Sequence, residues 1–476
     1  MRCVRLTSTL IPAAALFLVA CTTVPDLGTA PTPKAAASLA AEESFAAPLS
    51  QWPADGWWQA YADPQLTGLI EAALKDAPTM AQAQARIAKS EASTREARAA
   101  YLPTLEADGS YSEVKQSLNQ GFPPQFAQFL PRGYNSEGYL ALKFGYEFDF
   151  WGKNRAAVAA AASELRAAQA EAAETRLALS AGIALAYADL GRLYAERDVT
   201  ERSAQLRAET ATLVSRRVDN GLDTRAELKE AEAGVPAARA QLAAVDEEIA
   251  QTRNRIAALM GAGPDRGGAI ERPARVQVQA FGLPSELAAD LIGRRPDVVA
   301  ARWRAEAAAK RIGAARAQFY PNINLAAYVG QQALFASLLF RNSSEIGGVG
   351  PAVTLPIFEG GRLRAQLRGA RADYDAAVAS YDATLTQALR EVADTAVSER
   401  ALGVRLNESR SALAADEEAY RLTRLRYEGG LANYQAVLIA EDAVLQARVI
   451  VADLNARAFT LDVQLVQALG GGYGRS

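Results

Sequence analysis

An internal repeat is the feature that most constrains the fold of this chain of 476 residues. Two prolines 25 residues apart, a glycine-arginine turn, a Gly-Leu pair and a glycine 40 residues after that pair occur in the same order in both halves. In the first half they are Pro78, Pro103, 150–155, Gly221-Leu222 and Gly261, and in the second Pro296, Pro321, 357–362, Gly430-Leu431 and Gly470. A repeat with a fixed order of landmarks predicts that both halves build the same structural unit.

Each half contains a very long segment without proline. These segments, 153–219 and 362–428, have 67 residues each, so as helices they would reach roughly 100 Å. The Gly-Leu pairs then reverse the chain into returns at 222–260 and 431–469, the first of which contains Pro236 and should bend there. Helices much longer than one globular core needs predict antiparallel coiled-coil packing.

Alternation with a period of two predicts four strands, one hairpin in each half. Apolar and polar residues alternate along 140–150 and 323–329, and weaker series along 104–112 and 349–357 complete the pairs. Pro351 and Pro356 weaken the last of these predictions. Helical spacing precedes each hairpin, at 65–100 and 285–319.

The amino terminus has the pattern of a bacterial lipoprotein signal. A basic start is followed by an apolar run at 10–20, which is too short to span a bilayer as a helix. The run ends in Leu-Val-Ala before Cys21 and resembles a lipobox, which implies cleavage after residue 20, acylation of Cys21 and insertion into outer-membrane lipid. An ordinary secretory peptide with a chance cysteine is the alternative.

Composition excludes several function classes. The chain has no histidine, so histidine-dependent nucleophiles and histidine-ligated zinc are excluded. Cleavage would leave Cys21 as the only cysteine, which excludes intrachain disulfides. It would also change the formal charge from −3 to −5, and a negative charge disfavours nucleic acid as a partner. We therefore expect no enzyme, no catalytic residue, no cofactor and no metal site.

The predicted strands suit a membrane better than the helices do. After the signal no segment offers the ~20 apolar residues that a spanning helix needs, whereas about 9–11 residues suffice for a strand. Four strands cannot close a barrel, since known barrels need about eight or more, so copies of the chain would have to pool their strands. A soluble sheet packed on helices is the alternative.

Five motifs of the chain resemble those of one known family. They are Trp57-Trp58-x-x-Tyr61-x-Asp63-Pro64-x-Leu66, Tyr101-Leu102-Pro103, Arg294-Arg295-Pro296-Asp297, 355–362 and 468–472. Together they are similar to the TolC/OprM outer-membrane efflux factors, and most to their lipoprotein (NodT-type) branch. The resemblance implies an α+β membrane protein with a long antiparallel α-helical coiled-coil barrel and four transmembrane strands per chain, which form a 12-stranded β-barrel in a homotrimer.

The same resemblance implies a passive exit duct for drugs or other small molecules across the periplasm and outer membrane. Its partners would be a periplasmic membrane-fusion adaptor and an inner-membrane transporter, usually of the RND type. The expected organisation is a signal peptide at 1–20, a lipid-anchored tether at 21–64, repeats at 65–261 and 285–470 with a linker at 262–284 between them, and a tail at 471–476. Type I protein secretion, metal export, a scaffold lipoprotein without a pore and a carboxylate hydrolase remain alternatives.

Two groups of residues are candidates for a functional site. By resemblance, the periplasmic tip and gate comprise Gly221, Leu222, Glu227, Arg426, Tyr427, Gly430 and Leu431, with a Tyr427–Glu227 link as a possible lock. Where many family members have Asp after the second turn, this chain has Ala432, Ala436 and Ile439, which predicts an apolar constriction or an acidic ring shifted to Glu441 and Asp442. Lys143, Glu147 and Asp149 are expected to face the lumen from a strand, and the loop 121–131 to lie outside the membrane.

Overall fold

The computed structural model describes residues 24–35, 38–40, 43–115, 117, 129, 131–274, 278, 281–284 and 287–474. The signal peptide, Cys21 and nearly all of the loop 121–131 lie outside the described residues. The chain divides into two compact units. Unit 1 comprises Met1–Thr32, Ala88–Arg166 and Trp303–Ala379, and unit 2 comprises Pro33–Ile87, Ala167–Arg302 and Ser380–Ser476.

Unit 1 contains one antiparallel sheet with the strand order β1-β2-β3-β4. The strands are β1 (Thr104–Lys115), β2 (Tyr134–Phe148), β3 (Asn322–Ala333) and β4 (Glu345–Thr354). The four strands and two hairpins agree with the alternation in the sequence. The pairing of β2 with β3 joins the two hairpins, so the halves of the repeat share a single sheet.

Nine α-helices lie in the described part of the chain. They are α1 (Pro64–Asp76), α2 (Pro78–Ala99), α3 (Lys153–Asp219), α4 (Arg225–Leu259), α5 (Pro264–Gly268), α6 (Leu287–Arg294), α7 (Pro296–Ala317), α8 (Arg362–Glu428) and α9 (Tyr434–Ala468). The two long helices, α3 and α8, have 67 residues each and the bounds predicted from the proline-free segments. Helix α4 continues through Pro236 as one element.

Prolines divide the helical segments that the sequence predicts as continuous. Pro78 begins α2 and Pro296 begins α7, and Ala77, before Pro78, has the extended conformation that a following proline favours. The predicted helix at 65–100 is therefore two helices, and so is the one at 285–319. Among the described residues, no helix combines the length and the apolar character needed to cross a membrane.

The main core of unit 2 explains the tryptophan motif. Trp57, Trp58 and Tyr61 form a 3-10 turn that is buried against α1, α3 and α9. The carboxylate of Asp63 caps α1, because it accepts a hydrogen bond from the Leu66 amide (3.0 Å) and a second from the hydroxyl of the fully buried Tyr187 (2.8 Å). The last part of the predicted tether is therefore part of the core.

The earlier part of the predicted tether is also held by the protein. In unit 1, Val24 and Leu27 pack on a cluster that includes Phe319 and Leu363, and the hydroxyl of Tyr374 donates to the carbonyl of Pro31 (3.0 Å). In unit 2 the backbone at 48–50 pairs with Leu283, whose amide donates to the Pro48 carbonyl (2.8 Å). Alanine and proline content therefore did not reveal that this segment has fixed partners.

Candidate functional site

The two Gly-Leu pairs form the same helix-ending turn. Gly221 follows α3 with a φ of 72°, and Gly430 follows α8 with a φ of 75°, a conformation that strongly favours glycine. The amide of Leu222 donates to the Arg217 carbonyl (2.8 Å), and that of Leu431 donates to the Arg426 carbonyl (2.7 Å). This bonding satisfies carbonyls at the end of each helix.

The leucines of these turns lie at the surface. Leu222 is 64% exposed and Leu431 is 73% exposed in the single chain. Two apolar side chains at the ends of helical hairpins can contact another protein or one another in an assembly. The Arg426 side chain is also exposed, while its carbonyl accepts the turn hydrogen bond from Leu431.

Glu227 serves the start of the first return helix. The Thr224 hydroxyl accepts a hydrogen bond from the Glu227 amide (3.3 Å), and the Glu227 carboxylate accepts one from the Thr224 amide (2.7 Å). This reciprocal pair is a capping box, which satisfies two amides at the start of α4. Asn433 caps α9 at the matching position of the second repeat, through the Ala436 amide (3.0 Å).

Tyr427 has a different partner from the one expected. Its hydroxyl donates a hydrogen bond to the carboxylate of Asp223, in the turn between α3 and α4. The predicted Tyr427–Glu227 link is therefore not present, because Asp223 takes the hydroxyl and Glu227 is engaged in the capping box. Asp223 carried no prediction from the sequence.

Arg217 completes a cluster of three side chains with Asp223 and Tyr427. Its guanidinium binds both carboxylate oxygens of Asp223, at 3.0 and 3.2 Å, and donates to the carbonyl of Tyr427 at 2.8 Å. It also lies 4.3 Å from the centre of the Tyr427 ring, which is a favourable cation–π distance. One arginine thereby holds the end of α3 to the end of α8.

Burial sets the charge of this cluster. Tyr427 is 0% exposed, and burial, followed by the hydrogen bond to Asp223, raises the pKa of its hydroxyl. The hydrogen bond to Asp223 likewise raises the pKa of Arg217. At neutral pH the cluster therefore consists of a neutral phenol and a bidentate ion pair, packed beside the apolar residues Val214, Ala231, Tyr434 and Val437.

A second cluster engages the acidic residues that follow the second turn. The buried carboxylate of Glu441 lies 3.0 Å from the guanidinium of Arg207, and Arg207 also binds Asp442. Thr210 donates to Glu441 at 3.4 Å, and burial raises the pKa of Glu441. Both carboxylates of the predicted shifted acidic ring are thus paired within the chain, whereas Ile439 is exposed.

The three predicted lumen residues separate into two kinds. Lys143 and Glu147 lie in β2, where Lys143 is 3.1 Å from Asp108 and Glu147 is 2.5 Å from Lys153. Asp149 lies after the end of β2, contrary to its prediction as a strand residue. Its carboxylate instead accepts hydrogen bonds from the amides of Asn154 (3.1 Å) and Arg155 (2.8 Å), at the start of α3.

Arg295 of the Arg-Arg-Pro-Asp motif binds residues of three helices, a role that the motif alone did not predict. Its guanidinium binds the Asp297 carboxylate twice, at 3.1 and 2.7 Å, and Glu391 at 2.7 Å, and it donates to the carbonyl of Ala468 at 3.1 Å. It thereby connects the start of α7 with α8 and the end of α9. Across the described ranges no group of three or more metal-ligating side chains is placed to hold an ion.

Known proteins are similar to this chain in sequence and in fold. The sequence profile of the family described as outer membrane efflux protein matches residues 69–262 and 287–471. The multidrug resistance outer membrane protein MdtP of Escherichia coli K12 is 32% identical over 433 residues, which cover 89% of this chain and 88% of that protein. The fusaric acid resistance protein FusA of Burkholderia cepacia is 39% identical over 324 residues, which cover 67% of this chain and 60% of FusA.

Solved structures agree with these relatives. The outer membrane protein VceC of Vibrio cholerae superposes with a TM-score of 0.82 at 43% identity, over 89% of this chain and 100% of that chain. The outer-membrane channel OprN superposes with a TM-score of 0.83 at 26% identity, over 95% of this chain and 100% of that chain.

These relatives confirm four predictions: the family, the helix-rich fold with a small sheet, the location in the outer membrane with a periplasmic helical tunnel, and the function as an exit duct for efflux. The chain belongs to the outer membrane efflux protein family, whose members are trimeric channels that work with efflux pumps.

Proposed function

We propose that three copies of this chain form the passive exit duct of a tripartite pump, which receives small molecules from an RND-type inner-membrane transporter through a periplasmic membrane-fusion adaptor. The main support is the four-stranded sheet, in which β1 and β4 each have one edge that pairs with no strand in the described part of the chain. In a membrane every backbone polar group needs a partner inside the protein. If β1 of one chain pairs with β4 of the next, three chains close a sheet of twelve strands without a free edge.

The side chains of the sheet support this assembly. Large apolar residues are exposed on both edge strands in the single chain, including Leu105 on β1 and Val349 and Val353 on β4. Such residues favour a lipid environment over water. Lys143 and Glu147 on β2, together with Asp108 on β1, which pairs with Lys143, supply the polar groups that we assign to the lumen.

We assign the gate to the helix-ending turns at Gly221-Leu222 and Gly430-Leu431. The hydroxyl of Tyr427 bonds to Asp223 and the guanidinium of Arg217 bonds to the Tyr427 carbonyl, so α3 and α8 cannot separate at their ends without breaking both hydrogen bonds. Loss of these contacts in all three chains would widen the tip. The exposed Leu222 and Leu431 are the apolar contacts that we assign to the adaptor.

Drugs or other small molecules are the proposed cargo. MdtP is named a multidrug resistance protein and FusA a fusaric acid resistance protein. The chain itself would supply no energy and catalyse no reaction, so selection of the cargo would occur in the transporter. Deletion of the gene should therefore increase susceptibility to some amphipathic toxic compounds, and unchanged susceptibility across a broad panel would contradict small-molecule export.

Planar bilayers test the duct directly. Purified full-length protein should elute as a trimer and conduct ions across the bilayer. A stable trimer that remains electrically silent, also after substitution of the tip contacts, would support a periplasmic scaffold without a pore. A protein that stays monomeric and never inserts into lipid would contradict both the shared sheet and the duct.

The lipid anchor is proposed from the lipobox and lies outside the described residues. Cys21→Ala should remove acylation, measured by metabolic labelling with palmitate, whereas the sheet should still allow insertion. Normal labelling of this variant would contradict the lipobox. Cys3→Ala, within the proposed signal peptide, is the matched control and should be labelled normally.

A further inference from the structure

Unit 2 contains a cavity of about 730 Å³ that none of the assignments above uses. Residues of α3, α4, α8 and α9 line it, so all four long helices contribute. Its volume lies within the range of about 300–1,000 Å³ that is typical of small-molecule sites. The charged residues of the lining are Arg192, Arg255, Arg405, Arg457, Asp189 and Asp453.

The two carboxylates of the cavity are engaged by two of its arginines. Asp189 binds Arg192 at 3.0 Å and Arg255 at 2.7 Å, and Asp453 lies 3.7 Å from Arg192. These four side chains carry no net charge at neutral pH. Arg192 also binds Glu196 at 2.8 Å, which orients its guanidinium further.

Arg405 on α8 and Arg457 on α9 supply the excess charge. Within the part of the chain that the structure describes, neither guanidinium has a carboxylate oxygen within 4.0 Å. Burial raises the pKa of Glu399, which lies outside the lining, and the positive charge of Arg457 acts in the opposite direction on the same pKa. The lining residues together therefore carry two positive charges more than negative ones.

The rest of the lining is apolar or can form neutral hydrogen bonds. Leu185, Ile450 and Leu454 provide apolar surface, and Thr460 and Gln464 provide hydroxyl and amide groups. A guanidinium binds a planar carboxylate or a sulfonate through two parallel hydrogen bonds, while apolar walls accept a hydrocarbon or aromatic body. A cation would meet the guanidiniums of Arg405 and Arg457, neither of which forms an ion pair within the described residues, in the same space.

We propose that this cavity binds organic anions with an apolar body, and that Arg405 and Arg457 bind the anionic group. The site does not depend on conduction or on the tip contacts. Binding can therefore be measured separately from transport, and the channel can fail as a duct without affecting this test.

Two dyes with the same xanthene body test the preference for an anion. Fluorescein is anionic and rhodamine 6G is cationic at neutral pH, and fluorescence anisotropy reports the binding of either dye to the full-length trimer in lipid nanodiscs. Fluorescein should bind at least about tenfold more tightly, since two charge-assisted contacts distinguish the dyes. Equal affinity for both dyes, or no saturable binding of fluorescein, would overturn the proposal.

Variants test the two arginines. Arg405→Ala combined with Arg457→Ala should weaken fluorescein binding by about tenfold or more, and lysine at both positions should restore part of it. The matched control is Arg390→Ala combined with Arg421→Ala, which removes the same charge from ion pairs on α8 outside this cavity. An equal loss in the control would assign the effect to overall charge and contradict the site.

A third variant keeps the test decisive if the double alanine variant does not fold. Ala456 also lines the cavity, and Ala456→Glu adds a carboxylate without removing either arginine. It should weaken fluorescein binding and strengthen rhodamine 6G binding. Unchanged affinities in a trimer that elutes normally would contradict a ligand in this cavity.

Discussion

The hydroxyl of Tyr427 on α8 donates to the carboxylate of Asp223 in the turn after α3, and this contact joins the two halves of the internal repeat. The repeat does not produce the contact twice. The residue that corresponds to Asp223 in the second half is Ala432, and the residue that corresponds to Tyr427 in the first half is Val218. The two hairpins of a chain therefore share one such cluster, with Arg217 as its cation.

Tyr427→Phe tests whether this contact closes the tip. The substitution removes the hydroxyl and leaves the Arg217–Asp223 ion pair in place, so it should weaken the closed state by about 1.5–3 kcal/mol, or at least about tenfold in the opening equilibrium. Average conductance in planar bilayers should rise. Tyr374→Phe is the control, because its hydroxyl donates to the Pro31 carbonyl in unit 1; equal conductance in both variants and the wild type would contradict the gate.

Adjacent arginines in the Arg-Arg-Pro-Asp motif should differ greatly in their effect on stability. Arg295→Ala leaves Asp297 and Glu391 without their buried partner, which should cost about 3–5 kcal/mol. The guanidinium of Arg294 lies 4.7 Å from the centre of the Trp52 ring and 3.9 Å from the Asp290 carboxylate. Arg294→Ala should therefore reduce stability by only about 1 kcal/mol. Thermal unfolding of the detergent-solubilised trimer measures the loss of stability in each variant. Equal losses in the two variants would contradict this assignment.

Glu174 should make stability depend on pH. Burial, followed by the charge of Asp297, raises its pKa from 4.5 to about 7. Between these values the folded protein binds more protons than the unfolded chain, so this group lowers stability as the pH rises from 4.5 to about 7. Glu174→Gln should remove that decrease and stabilise the protein above this range by at most about 3 kcal/mol.

The difference in stability between Glu174→Gln and the wild type reports on Glu174, since all other carboxylates are present in both proteins. Thermal unfolding midpoints should diverge as the pH rises from mildly acidic to neutral. Glu248→Gln, at an exposed position of α4, should change the curve little. Parallel curves for Glu174→Gln and the wild type would show that Glu174 is ionised normally.

Much of the architecture could be predicted because proline and glycine are local signals. The absence of proline allowed α3 and α8 each to be predicted as one continuous helix, and the Gly-Leu pairs marked the turns that follow them, since only glycine adopts their backbone conformation readily. Pro78 and Pro296 were equally visible, but their effect on a predicted helix was underestimated. A proline fits the first position of a helix, so each begins a new one.

The partners of the polar side chains could not be predicted in the same way. Glu227 and Asp223 are four residues apart, and choosing between them for Tyr427 requires knowing that Thr224 caps α4 and engages Glu227. Asp149 continues the alternation of β2 but caps α3. One signal was available, because alignment of the repeats places Asp223 opposite Ala432 and so identifies a charge present in only one half.

The second turn allows a test of its backbone geometry that is independent of any side-chain contact. Gly430 has a φ of 75°, and a Cβ added there would meet no atom within 4 Å, so Gly430→Ala should destabilise by about 1–2 kcal/mol through backbone strain alone. Gly403 lies within α8, has equally open space and lacks a positive φ, so Gly403→Ala should stabilise by about 0.5–1 kcal/mol. Chemical denaturation of the two variants should therefore give shifts of opposite sign, and shifts of the same sign would contradict a left-handed turn at Gly430.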